Sequence, residues 1–80
     1  MTVTVLLFAS YADIVGRSEI ELDVETGATV KDVIARVRAL GDAHRLPPAP
    51  MVAVNEQYAL HDRELEAGDE VALIPPVAGG

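Results

Sequence analysis

The stretch "GATVKDVIARVRALG", Gly27 to Gly41, decides how this chain folds. Val30, Val33, Ile34, Val37 and Leu40 fall at i, i+3, i+4, i+7 and i+10, one apolar stripe along a helix. Thr29 is its predicted N-cap and Asp32 sits in its first turn. Arg36 and Arg38 lie toward the end, where cations suit the dipole, and Gly41 is the predicted stop. A helix that is apolar on one side must bury that side, and the segments flanking it read as strands.

Upstream, "TVTVLLFA" (Thr2 to Ala9) is β-branched and apolar, with Val3, Val5 and Leu7 on one face. Thr2, Thr4, Leu6 and Phe8 take the other face, which is therefore polar at its start and greasy near Phe8. "SYADIVG" predicts a short helix capped by Ser10 and closed by a left-handed Gly16. In "EIELDVE" Ile20, Leu22 and Val24 alternate with acids, the pattern of a half-buried antiparallel strand that pairs with the first.

Downstream, "GDAHRLPPAP" carries three prolines between positions 47 and 50 and reads as a surface loop. "MVAVN" reads as a short buried strand, Asn55-Glu56 as a tight turn into a brief strand, and Gly68-Asp69 as a turn feeding a last strand from Glu70 to Pro75. Val71 and Leu73 point one way along it, Ala72 and Ile74 the other. Two strands, a crossing helix and two further strands make a mixed sheet with one main helix across one face. That is the β-grasp or ubiquitin-like arrangement of the α+β class. With the first and last strands as neighbours, Phe8 and Ile74 lie on the face the helix leaves open, and Tyr58 is placed to join them. The chain divides into a domain, residues 1–76, and a flexible Gly-Gly tail, residues 77–80.

Eighty residues, half of them apolar, make one small domain, at a size where only about 60% of the unfolded surface is buried. The sequence holds no cysteine, which excludes disulfides, thiolate metal sites and a cysteine nucleophile. A net charge of −7, from 13 acidic and 6 basic residues, argues against nucleic acid or an anionic membrane and for a basic protein partner. The absence of a basic leader and of a long apolar run leads us to expect a cytoplasmic protein.

Catalytic groups are scarce. His44 and His61 lie in separate loops with no third ligand, so no metal site is expected. Ser10 and Ser18 have no histidine beside them, no phosphate-binding glycine loop is present, and Glu19, Glu21, Asp23 and Glu25 read as a solvated face. What stands out is the end, "IPPVAGG". Pro75 and Pro76 stiffen the exit, Val77 and Ala78 are small enough for a channel, and Gly79-Gly80 lets backbone pass where no Cβ fits. A glycine carboxylate is an unhindered acyl group, inert at neutral pH until a second protein activates it, most simply with ATP.

The segments "VTVLLFASYADIVG", "TVKDVIARVRAL", "VAVN" and "LEAGDEVALIPPVAGG" together resemble the sulfur carriers of the MoaD/ThiS family, the group that includes the small subunit of molybdopterin synthase. The resemblance spans essentially the whole chain. It implies that Gly80 is adenylated by a ubiquitin-activating-like adenylyltransferase using Mg-ATP, and that a sulfur donor protein then converts it to a thiocarboxylate. It further implies a heterotetrameric synthase whose large subunit holds the catalytic pocket, into which the tail is threaded and where sulfur passes to cyclic pyranopterin monophosphate. Gly79 is then the permissive neighbour of Gly80, and Phe8, Tyr58, Ile74, Pro75, Pro76 and Val77 form the partner-binding set. The carrier binds no cofactor and is not catalytic alone. Delivery to thiamine or amino-acid biosynthesis, ubiquitin-like protein modification and a plain adaptor role are the competing readings.

Overall fold

The computed structural model describes residues Met1 to Pro76. Strand β1 (Thr2–Leu7) is followed by helix α1 (Ala9–Val15), strand β2 (Glu19–Asp23) and helix α2 (Val30–Arg38). A short 3₁₀ helix (Gly41–Arg45) then leads into β3 (Met51–Val54), β4 (Gln57–Tyr58) and β5 (Glu70–Ile74). The five strands form one sheet in the order β2-β1-β5-β3-β4, with β1 and β5 parallel and the other pairs antiparallel. The architecture is the expected α+β β-grasp.

The core follows from strand alternation. Val3, Val5, Leu7, Ile20, Leu22, Val52, Val54, Val71 and Leu73 point to one side of the sheet, where they pack with Val30, Val33, Ile34 and Val37 of α2. Tyr11 of α1 and Leu65 complete the same cluster. Helix α2 begins with the predicted cap: the Thr29 hydroxyl accepts from the Asp32 N–H, and the Asp32 carboxylate accepts from the Thr29 N–H at 2.9 Å. Two further donors of its first turn, the N–H groups of Val30 and Lys31, are satisfied by the carbonyls of Arg63 and His61.

Four local expectations are corrected. Ser10 does not cap α1: the chain reverses at Ala9, whose φ is 46°, so the helix opens earlier and the extended residue before it is Phe8. Gly16, at φ 84°, does close it as expected. Helix α2 ends at Arg38, not at Gly41, so Leu40 leaves the apolar stripe and is exposed, while Gly41 opens the 3₁₀ helix. The segment read as a surface loop buries Ala43 and Leu46, because its prolines begin only at 47 and leave the preceding residues free to turn inward. Met51 is exposed, lying on the opposite face from Val52 and Val54.

The turn at Asn55-Glu56 has φ of 50° and 71°, the two positive values of a type I′ hairpin. It is tied to the base of β5 by a polar network. Asn55 Nδ2 donates to Asp69 Oδ1 at 2.9 Å, Asn55 Oδ1 accepts from the Glu70 N–H at 2.9 Å, and Asp69 Oδ2 accepts from the Glu66 N–H at 2.8 Å. The Glu66 N–H holds the Asp69 carboxyl below its ordinary 3.8. Burial opposes this, and the Asn55 amide and the Arg63 charge reinforce it.

A carboxyl depressed in the folded state adds stability above its unfolded pKa and loses it as pH falls through the folded value. Asp69→Asn is therefore expected to cost about 1–3 kcal/mol at neutral pH, from the mispaired Glu66 N–H. It should also remove the part of the acid destabilisation that sets in below 3.8. Urea unfolding followed from pH 7 to pH 2.5 measures both effects, and parallel pH profiles for the two proteins would contradict the assignment.

Candidate functional site

With its odd-numbered residues in the core, β1 presents Thr4 and Leu6 on the uncovered side of the sheet, and Phe8 continues that line beyond the strand. Register assembles the rest. Leu6 lies opposite Ala72, Ala72 opposite Ala53, and Ala53 opposite Tyr58, so four strands contribute one row. Ile74 lies opposite Met51 in the next row, toward the end where Phe8 sits. Phe8 is 48% exposed and Tyr58 75% exposed, although both are large and aromatic. Between them opens a recess of 360 Å³ lined by Leu6, Phe8, Ala53, Tyr58, Ala72 and Ile74, with Glu56 and Glu70 also in its wall.

Phe8, Tyr58 and Ile74, chosen from the sequence, are thus brought together on one apolar surface. Pro75 is half-buried and Pro76 exposed immediately after β5, so the chain leaves the fold from the apolar end of that surface. Val77, Gly79 and Gly80, with the rest of the tail at 77–80, lie outside the described residues. Strand parity placed Leu6 and Ala72 on this face, but Met51 and Ala53 were not assigned to it. Their alternation was visible, but their adjacency depends on pairing between strands far apart in sequence.

The histidines do not converge. His61 Nε2 donates to the Pro50 carbonyl at 2.8 Å, which fastens its loop to the start of β3, while His44 is exposed and its carbonyl accepts from Arg38. Among the described residues, no group of three His, Asp or Glu side chains is arranged to hold a metal ion, and no helix is long and apolar enough to cross a membrane. A larger groove of 550 Å³ lies beside α2, bordered by Val24 to Ala28 and by Asp32, Ala35, Arg36 and Ala39. Across its mouth Arg36 Nη1 donates to the Asp23 carbonyl at 2.8 Å.

A mixed five-stranded sheet with its main helix across one face and an apolar opposite face is the ubiquitin-like β-grasp. The chain belongs to the ThiS family, whose model matches residues 5–80. The molybdopterin synthase sulfur carrier subunit of Chlamydomonas reinhardtii is 35% identical over 83 residues, covering 100% of both chains. Small archaeal modifier protein 1 of Haloferax volcanii is also 35% identical over 83 residues, covering 92% of this chain and 95% of that one. Its crystal structure superposes with a TM-score of 0.84 at 31% identity, over 100% of both chains.

Proposed function

We propose that this chain is the sulfur carrier of molybdopterin synthase and that Gly80 carries the sulfur. The carboxylate oxygen of Gly80 attacks the α-phosphorus of Mg-ATP in a ubiquitin-activating-like enzyme; pyrophosphate leaves and an acyl-adenylate forms. Sulfide-level sulfur delivered by a donor protein then attacks the acyl carbon, the C–O bond to the phosphate breaks and AMP leaves, which yields the thiocarboxylate. The tail reaches into the large subunit, where sulfur passes to cyclic pyranopterin monophosphate in two rounds to complete the dithiolene. Gly79 keeps the approach narrow, since a residue without Cβ lets the backbone run close to the pocket wall.

The observation that carries this reading is the likeness to a sulfur carrier subunit over the full length of both chains. The open face supports it. An apolar recess flanked by Phe8, Tyr58 and Ile74, beside the exit marked by Pro75 and Pro76, suits docking of the large subunit while Val77 and the glycines thread onward. A stable complex of this kind buries roughly 1,000 Å² or more.

The equal identity to small archaeal modifier protein 1 favours a second reading, in which the activated Gly80 is passed to lysines of other proteins. Reconstitution separates the two. With activating enzyme, sulfur donor, large subunit and pterin precursor, molybdopterin is expected only when this chain is present. Isopeptide conjugates without molybdopterin would favour the modifier, and sulfur loading without transfer to the pterin would point to a thiamine or amino-acid acceptor.

A further inference from the structure

The recess on the open face is not uniformly apolar: Glu56, from the hairpin turn, and Glu70, from the first position of β5, line it together with the apolar residues. Register places Glu70 opposite Thr4, one row away from Leu6 and Ala72, so its carboxylate lies at the end of the recess remote from Ile74. Neither carboxylate accepts a hydrogen bond from any described residue. The chain's own cations are elsewhere. Arg17 precedes β2, Lys31, Arg36 and Arg38 belong to α2, Arg45 to the 3₁₀ helix and Arg63 to the loop that holds the start of α2, and among the described residues no strand contains a lysine or arginine.

We infer that this recess takes a single arginine or lysine side chain of the docking partner, its aliphatic stem along Leu6, Ala53 and Ala72 and its charged head between Glu56 and Glu70. The inference rests on the docking reading above and names the chemistry of the partner's anchor. A basic side chain fits both halves of the recess, because its methylenes are apolar and only its end is charged. Tyr58, one row from Glu70, adds an aromatic wall against which a guanidinium packs well, while Phe8 borders the far, Ile74 end of the recess along the stem. An arginine seated in a desolvated pocket and surrounded by water-excluding contacts is the usual form of an interface hot spot. A purely aliphatic anchor would leave two carboxylates desolvated and unpaired, and an acidic one would be repelled.

Calorimetric titration of the cognate large subunit at low and at raised salt tests this. The double variant Glu56→Gln with Glu70→Gln keeps side-chain shape and removes only charge. It is expected to weaken binding about tenfold or more at low salt and to flatten the salt dependence. Phe8→Asp, at an exposed position, is expected to weaken binding by about a hundredfold through loss of the apolar contact itself. Unchanged affinity in the glutamine variant beside a large loss in Phe8→Asp overturns the basic anchor and leaves the docking reading standing. A loss in the glutamine variant with an unaltered salt slope also overturns it, since charge would then not be the cause. No loss in either variant removes the docking face and the inference together.

Discussion

Replacing Gly80 by tryptophan is expected to reduce thiocarboxylate formation by about a hundredfold or more, because displacing a reacting atom by a single ångström already has effects of that order. Deletion of Gly79 and Gly80 should bring it to background. Neither change should alter thermal unfolding, because the core among the described residues runs from Val3 to Leu73 and both changes lie beyond it in sequence. The combination is diagnostic: complete functional loss with an unshifted melting curve assigns the end of the chain to chemistry. A Gly80→Trp protein that still loads sulfur at the parent rate would remove Gly80 from its role.

The opposite combination is expected one strand residue before the exit. Leu73 is fully buried on the central strand β5, between Leu7 of β1 and Val52 of β3. Leu73→Ala removes its contacts and leaves a cavity that flanking strands cannot easily close, at a cost of about 3 kcal/mol. For a domain of this size each kcal/mol lowers the melting temperature by about 4–8 °C, so a fall of roughly 12–24 °C is expected. Ile74→Ala, whose side chain faces the open side, should cost less than about 1 kcal/mol. Its effect should instead appear in affinity for the large subunit. Calorimetric melting of both variants checks the contrast, and equal losses would mean that the two faces of β5 are not divided between core and docking as described.

That division was readable from the chain because strand period is local. Val71 and Leu73 alternate with Ala72 and Ile74, and the same parity in β1 separates Val3, Val5 and Leu7 from Leu6 and Phe8. The α2 stripe and its Thr29-Asp32 cap are equally local, as is the positive-φ turn at Asn55-Glu56. What escaped the sequence depends on tertiary closure. Phe8 displaces Ser10 at the start of α1 because the chain must reverse at Ala9 as it leaves β1. Leu40 loses its place in the stripe because α2 stops at Arg38 and the chain enters the 3₁₀ helix that buries Ala43.

The site shows the same split. Phe8, Tyr58 and Ile74 could be assigned to the open face once β1 and β5 were taken as neighbours. The approach of Glu56 and Glu70 to the same recess needed the register of four strands drawn from both halves of the chain. The acids of β2 were read as a solvated face, and Glu19, Glu21 and Asp23 are all exposed there.

The most direct test of sulfur carriage is the intact mass of the protein after incubation with Mg-ATP, a cognate activating enzyme and a sulfur donor. The expected result is a mass gain equal to exchanging one oxygen for sulfur, localised to Gly80 and absent from the variant lacking Gly79 and Gly80. An unchanged mass, with an activating enzyme shown to be competent on another carrier, would contradict sulfur carriage by this chain.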